Sequence, residues 1–148
     1  MAKDKKPQGS RARARARRLV LQGLYQWQLS GDTAQGIVRG LLESQNTKDT
    51  DLEYFEELLR GVLATSAELE NIFAPHLDRP TTQLDPVERA VLLLGTYELK
   101  ERPDVPYRVV LNEAVELTKS FGAEDSHKYV NAVLDKTAGE LRRAERAG

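Results

Sequence analysis

The segment LDPVERAVLLLGTYEL, residues 84–99, most constrains how this chain can fold. Asp85, Pro86 and Glu88 stand at the N-cap, first and third helical positions of a capping-box arrangement, which predicts where a helix begins. From Val87 to Leu99 the segment is apolar on nearly every side. A helix that is apolar all round must be enclosed by other elements, so we expect it to lie at the centre of a core.

The segments on both sides of this one also have helical patterns. No run of alternating Val, Ile or Thr is bounded by hairpin turns, and the alternation in RARARAR combines two residue types that favour helices over strands. Short polar connections separate the patterns. The sequence therefore predicts an all-α fold of about seven helices, with bounds near 11–29, 32–43, 51–64, 67–77, 86–99, 107–121 and 125–141.

The 148 residues fit a single domain built from two helical subdomains that share a core. Residues 1–10 are polar and contain proline and glycine, and we interpret them as a disordered basic tail. Residues 11–148 then form the domain. We expect an N-terminal subdomain at about 11–78 and a C-terminal subdomain at about 84–143, with the linker DRPTTQL between them.

Charge is distributed unevenly along the chain. The net charge is −1, yet residues 1–18 carry eight Lys or Arg and one Asp, a net charge of +7. Residues 19–80 carry a net charge of −6 and residues 81–148 a net charge of −2. A basic arm on an acidic body indicates a polyanion as partner for the arm and a basic protein as partner for the body. The alternative is a solvated tail on an ordinary surface.

The segment GSRARARARRLVLQGLYQWQ, residues 9–28, predicts a helix with two different faces. Ser10 is a candidate N-cap for this helix, and Ser30-Gly31 is its predicted stop. Six residues fall on the core side at 100° per residue: Ala16, Leu19, Val20, Gly23, Leu24 and Trp27. Five residues fall on the outer side: Arg11, Arg15, Arg18, Gln22 and Tyr25. Arg13 and Arg17 flank the core stripe. The outer face is therefore a line of guanidinium groups followed by an amide and an aromatic ring.

So much positive charge is unfavourable at the start of an isolated helix. Like charges at helical spacing cost a few tenths of a kcal/mol per pair, and cations near a helix N-terminus cost about 0.3–1 kcal/mol at low salt. A bound polyanion reverses the sign of both effects. Arginine bonds phosphate through its planar fork, Gln22 can read a base edge, and Tyr25 can stack on an unpaired base.

We therefore expect single-stranded RNA on this face, because its bases are accessible. Two alternatives stay open. The arginines can belong to a solubilising tail, and Tyr25 can be buried against another helix.

Several other chemistries are not expected. The chain has no cysteine, which excludes disulfides, a thiol nucleophile and Cys-based zinc sites and fits a reducing cytoplasm. His76 and His127 are the two histidines, and neither belongs to a pattern of converging metal ligands. No Ser-His-Asp arrangement, glycine-rich phosphate loop or membrane-length apolar run is present. We expect no enzyme activity, no cofactor, no metal and no membrane association.

The segment KSFGAEDSHKY, residues 119–129, predicts a corner between two helices. Gly122 permits a tight turn, and the N-terminus of the next helix offers N–H groups to an anion. Phe121 and Tyr129 place two aromatic rings beside these polar groups. The alternative is a plain capped corner with both rings in the core.

Four segments together resemble the NusB transcription antitermination family: ARRLVLQGLYQWQLSG, YFEELLRGV, LDPVERAVLLLGTYEL and DVPYRVVLNEAVELTKSFGAEDSHKYVNAVLDK. The resemblance covers residues 11–142, is weakest over 32–49, and is most specific in the last segment. It implies an all-α fold of two perpendicular helical subdomains. It also implies a factor without enzyme activity that pairs with NusE, a small-subunit ribosomal protein, and binds the single-stranded boxA element of nascent RNA. With other Nus factors, such a pair joins elongating RNA polymerase on ribosomal RNA operons.

The resemblance also assigns residues. The basic N-terminus and first-helix tyrosine of the family fall on Arg13, Arg15, Arg17 and Tyr25, and its RNA-side corner falls on Phe121, Asp125 and Tyr129. Together with Arg18 and Gln22 of the outer face, these are the predicted RNA-binding residues. The acidic residue that faces the partner protein falls on Glu88.

Three positions depart from the family pattern. Arg18 stands where we expect an acid, which strengthens the attraction to RNA. Leu93 stands where family members often carry arginine, which places a partner contact there in doubt. Ala132 replaces the glycine of a VNGV pattern, so the last helix either packs further from its neighbour or gains helix propensity.

Two other functions compete with RNA binding. The first is a homodimeric helical interaction module in which a second copy masks the arginine face. The second is the targeting domain of an RNA methyltransferase, since NusB-like domains precede such catalytic domains. We do not expect the second, because 148 residues leave no room for a cofactor-binding sheet.

Overall fold

The structure, a computed structural model, describes residues 6–147, and over this range it contains α-helices and two short 3₁₀ turns but no strand. The helices are Ser10–Ser30 (α1), Ala34–Ser44 (α2), Leu52–Phe73 (α3), Pro86–Glu101 (α4), Tyr107–Phe121 (α5), Ser126–Leu141 (α6) and Arg143–Ala147 (α7). The 3₁₀ turns are Ala74–His76 and Thr81–Gln83. The predicted all-α class is confirmed.

The chain divides into two compact units, Met1–Arg60 (unit 1) and Gly61–Gly148 (unit 2). The division falls inside α3 and not at the linker predicted at residues 78–84. Part of the predicted tail, residues 1–5, lies outside the described residues, and α1 already begins at Ser10. Gly9, with φ of 93°, occupies the N-cap position that we expected for Ser10.

Unit 1 is built around the apolar side of α1. This helix ends at Gly31, as predicted, where a left-handed φ of 68° suits a residue without a side chain. A Cβ added to Gly23 would lie 3.0 Å from a methyl group of Leu59 and 3.1 Å from one of Ile37. The first three helices therefore meet at Gly23, which fixes the side of α1 that faces solvent.

The predicted third and fourth helices are one helix with a kink. Thr65 has non-helical angles (φ −127°, ψ 21°), and its hydroxyl donates a 2.7 Å hydrogen bond to the carbonyl oxygen of Gly61. A threonine hydroxyl bonded one turn back bends a helix without ending it. The helix count still agrees with the prediction because α7, which was not predicted, follows α6.

Unit 2 is organised around α4, as expected from its apolar sequence. The capping box forms as predicted: the Glu88 N–H donates to Asp85 Oδ1 at 2.7 Å, and the Asp85 N–H donates to Glu88 Oε1 at 3.2 Å. Helices α4, α5 and α6 pack against one another. Leu134 of α6 lies so close to Gly95 of α4 that an added Cβ would stand 2.7 Å from its methyl group. This packing fixes both sides of the corner between α5 and α6.

Candidate nucleic-acid interface

The outer face of α1 carries the residues that helical geometry predicts for it. Arg11, Arg15 and Arg18 are exposed, Gln22 is half-buried, and Tyr25 is 42% exposed. All but one of the six predicted core-side residues are buried, and Trp27 is half-buried. From Arg11 to Tyr25 the face extends about 21 Å, at 1.5 Å per residue. The alternative that buries Tyr25 against another helix is wrong for this chain.

The start of α1 is electrostatically suited to an anion. Its first turn contains no acidic residue, and its N-cap residue makes no side-chain hydrogen bond. The N-terminus of a helix acts as about half a positive charge, and the arginines of the outer face add to it. The chain therefore concentrates positive potential at one end of the exposed face.

Arg17 differs from the other predicted RNA-binding arginines. Its exposed fraction is 3%, and its guanidinium carbon lies 5.5 Å from the ring centroid of Tyr54 in α3. Arg13, which is half-buried, lies over the same ring at 4.3 Å. Tyr54 is itself 3% exposed. Tyr54 is a component of the site that sequence reasoning missed, because a tyrosine in an apolar helix face is typical of a core residue.

The predicted corner lies in unit 2 between α5 and α6. Phe121, the last residue of α5, is 39% exposed, and Asp125 is exposed with a left-handed φ of 68°. Tyr129 is half-buried in the first turn of α6. The corner therefore presents the ring of Phe121 to solvent and holds the ring of Tyr129 against the protein. The sequence alone did not decide whether either ring is exposed or buried.

Arg79 covers the ring of Tyr129 and was also missed. Its guanidinium carbon lies 4.0 Å from the ring centroid, and its Nε donates a 2.8 Å hydrogen bond to Asp78. This hydrogen bond lowers the pKa of the Asp78 carboxyl, and burial raises the pKa of the Tyr129 phenol. Arg79 lies in the segment DRPTTQL, which we interpreted only as a linker. No local pattern indicates that its side chain reaches α6.

Glu88, the predicted partner-facing residue, is almost entirely buried in unit 2. It is 7% exposed, and one carboxylate oxygen accepts the capping-box hydrogen bond from Asp85. The other oxygen accepts a 3.0 Å hydrogen bond from the hydroxyl of Ser126, at the start of α6. Both oxygens are therefore used inside unit 2, where they join two helix N-termini, and the partner contact of Glu88 stays a prediction.

Two of the three residues that depart from the family pattern, Leu93 and Ala132, differ in their exposure to solvent. Leu93 is fully buried in α4, so its side chain presents no surface to solvent. Ala132 is exposed on α6. An exposed alanine does not separate the helix from its neighbour, which favours the gain in helix propensity.

Two kinds of site are absent from the described residues, a metal cluster and a membrane-crossing helix. Between residues 6 and 147, no group of three or more His, Cys, Asp or Glu side chains is arranged to hold a metal ion. None of the helices in that range combines the length and the apolar character needed to cross a bilayer.

Comparison with known proteins gives consistent matches over most of the chain. A family model described as the NusB family matches residues 14–139. A transcription antitermination protein NusB from Alcanivorax borkumensis is 54% identical over 139 residues, covering 94% of this chain and 93% of that protein. One from Pseudoalteromonas atlantica is 54% identical over 134 residues, covering 90% and 96%.

A solved structure has the same fold. The crystal structure of the antitermination factors NusB and NusE in complex with dsRNA aligns with a TM-score of 0.80 at 28% identity, covering 89% of this chain and 99% of that chain. Agreement of the family model, the close relatives and the fold leads to one conclusion: this chain belongs to the NusB family.

Proposed function

We propose that this protein is a transcription antitermination factor that binds single-stranded boxA RNA together with NusE. In this proposal it joins other Nus factors on elongating RNA polymerase at ribosomal RNA operons. It acts in the cytoplasm by binding, without catalysis, cofactor or metal. The relatives named as antitermination proteins support the activity, and the related complex of NusB, NusE and dsRNA supports the two partners.

The exposed face of α1 is the observation that carries the RNA-binding part of the proposal. Arg11, Arg15 and Arg18 are exposed on the face that also presents Gln22 and Tyr25. Without a ligand these charges repel one another and the helix N-terminus. Phosphates convert each repulsion into an attraction, and the ring of Tyr25 offers a stacking surface for an unpaired base.

The corner between α5 and α6 supplies a second set of proposed RNA contacts. Phe121 is exposed enough to stack. The carboxylate of Asp125 is exposed, lies 3.5 Å from the ammonium group of Lys128, and can accept hydrogen bonds from base amino groups. Tyr129 is held under Arg79, so Arg79 is the group of this pair that offers charge to a phosphate. The acidic remainder of the chain, with net charges of −6 and −2 over its two segments, suits a basic ribosomal protein.

The test is fluorescence anisotropy of a labelled boxA RNA over a salt series, with and without NusE. The variant Arg11→Ala/Arg15→Ala/Arg18→Ala removes the three exposed guanidinium groups. We expect it to bind about 10- to 100-fold more weakly. We also expect its slope of log K against log salt to fall by about 2, since each phosphate on a single strand contributes about 0.7. Tyr25→Ala should weaken binding with the slope unchanged.

A matched control removes three exposed cations elsewhere, Arg39→Ala/Lys48→Ala/Lys136→Ala. This control has the same net charge as the test variant and should retain most of the wild-type slope. Equal effects of the two triple variants would reject the α1 face as the RNA site. Tighter binding of a duplex of the same sequence than of the single strand would overturn the single-strand part of the proposal.

A further inference from the structure

We propose that Tyr54 is a positioning residue for RNA binding: its ring holds the guanidinium group of Arg13 in place before RNA arrives, while the buried Arg17 also contacts the ring. This inference rests on the proposed function, because it concerns how the basic start of α1 meets phosphate.

The geometry places two cations over one ring. Arg13 and Arg17 are four residues apart on α1, and their guanidinium carbons lie 4.3 Å and 5.5 Å from the ring centroid of Tyr54. Both distances are within the range of cation–π attraction. Two like charges at this spacing repel each other on a bare helix, and a shared aromatic face offsets that repulsion.

The backbone of Tyr54 is connected to the backbone of α1 through Asp51. The Asp51 N–H donates a 3.1 Å hydrogen bond to the carbonyl oxygen of Ala12, the residue before Arg13. The Asp51 carboxylate in turn accepts a 3.0 Å hydrogen bond from the Tyr54 N–H. Two hydrogen bonds therefore connect the backbone of the tyrosine to the backbone beside the arginine. These bonds hold the backbone of Tyr54 close to Arg13, and burial of the side chain, which is 3% exposed, limits rotation of the ring.

The two arginines have different exposures, which separates their roles. Arg17 is 3% exposed and lies within the protein, whereas Arg13 is half-buried and keeps part of its surface in solvent. A flexible arginine loses much rotamer freedom when it binds a ligand. An arginine already held against a ring loses less, so its contact with phosphate is stronger. Tyr54 thus acts on RNA through Arg13 without touching the RNA.

The test compares three replacements of Tyr54 in the full chain bound to NusE, with labelled single-stranded boxA RNA as probe. Tyr54→Phe keeps the ring face and should bind within about twofold of wild type. Tyr54→Leu keeps apolar volume without the ring and should bind about three- to tenfold more weakly. Pentafluorophenylalanine at position 54 keeps the ring shape and reverses its quadrupole, and it should weaken binding by a similar factor.

A double-mutant cycle with Arg13→Ala separates positioning from a general loss of structure. If Tyr54 acts through Arg13, Tyr54→Leu should have little further effect on RNA binding in the Arg13→Ala background. A full further loss in that background would overturn the inference. If Tyr54→Leu does not fold, the pentafluorophenylalanine variant tests the inference instead, because it keeps the shape of the ring. Wild-type affinity with the fluorinated ring would also overturn it.

A comparison of the Tyr54 variants with the triple variant of Arg11, Arg15 and Arg18 distinguishes this inference from the proposed function. If the triple variant of Arg11, Arg15 and Arg18 binds RNA as wild type does, the proposed RNA site fails. If the triple variant loses binding while all three Tyr54 variants bind as wild type does, only the inference about Tyr54 fails.

Discussion

At the scale of single residues, Glu88 shows how a carboxylate can join two helix starts. Its two oxygens accept hydrogen bonds from the backbone of Asp85 and from the hydroxyl of Ser126. The two donors belong to the starts of α4 and α6, and Ser126 lies 38 residues after Glu88 in the sequence. Removal of the carboxylate leaves both donors without this acceptor, and an unmade hydrogen bond in a buried place costs more than a made one contributes.

We expect Glu88→Ala to lower the free energy of unfolding by about 1–3 kcal/mol, because both donors lose their acceptor. Glu88→Gln keeps an amide that can accept from one donor and pair with the hydroxyl, so its cost should be below about 1 kcal/mol. Urea denaturation followed by circular dichroism measures both values. Glu101→Ala, at the exposed end of the same helix, is the control.

The same variants test the predicted partner contact of Glu88. Because the carboxylate is used inside unit 2, Glu88→Gln should bind NusE with nearly wild-type affinity. A large loss of NusE affinity in Glu88→Gln, with normal stability, would mean that the carboxylate turns outward to meet the partner.

The 100° helical periodicity predicts the face of a helix on which a residue lies, but not which residue of another helix its side chain contacts. It correctly places Arg11, Arg15 and Tyr25 toward solvent. It cannot predict the burial of Arg17, because the ring that receives the guanidinium comes from α3. Charged residues are rarely buried unless they have partners, and the partners of Arg17 and Glu88 lie on helices distant in sequence.

At the scale of elements, the end of α4 depends on a side chain from beyond α6. Arg142, 7% exposed, donates hydrogen bonds to three carbonyl oxygens: Leu99 at 2.7 Å, Arg102 at 2.8 Å and Glu98 at 3.2 Å. The same guanidinium group donates to Glu145 in α7 at 2.6 Å. The last carbonyls of a helix lack partners within it, so Arg142 serves as a cap supplied from the junction between α6 and α7.

We expect Arg142→Met to lower the free energy of unfolding by about 2–4 kcal/mol, since it removes several hydrogen bonds from a charged donor. Arg142→Lys should recover only part of the loss, because an ammonium group cannot reproduce the planar fork. Thermal and urea unfolding measure the change. Arg143→Met, at the exposed next position, should stay within about 0.5 kcal/mol of wild type. Equal stability of the two methionine variants would reject the cap.

The elements that the sequence predicted well are those with local start and stop patterns. The capping box at Asp85 and the stop at Gly31 depend on residues within one turn, and both are observed. The kink at Thr65 was interpreted as a break, because a weakly apolar stretch looks the same in sequence whether the helix bends or ends. The helix α7 was missed since its five residues are stabilised by contacts with other helices, including the hydrogen bond from the Tyr107 N–H to Glu145.

At the scale of the whole molecule, the charge distribution separates two partners by sign. The first 18 residues carry a net charge of +7, and the remaining two segments carry −6 and −2. Charges of both signs on one chain, at a total of −1, allow it to attract a polyanion and a basic protein together. This division could be derived from sequence alone, because it depends only on composition along the chain.

The same distribution gives opposite salt dependence to RNA binding and to the competing homodimer. A two-fold symmetric interface brings each surface against its own copy. A second copy that covered the α1 face symmetrically would therefore bring arginines near arginines, and their repulsion grows as the Debye length rises from about 10 Å at 0.1 M salt to about 30 Å at 0.01 M. We expect self-association of the free protein, measured by sedimentation velocity, to weaken as salt is lowered while RNA binding strengthens.

A dimer that instead tightens at low salt, and that the triple variant of Arg11, Arg15 and Arg18 abolishes, would mean that an acidic surface of the second copy neutralises these arginines. In that case the arginines at the start of α1 would form part of a homodimer interface, and RNA would compete with the second copy for the outer face of α1.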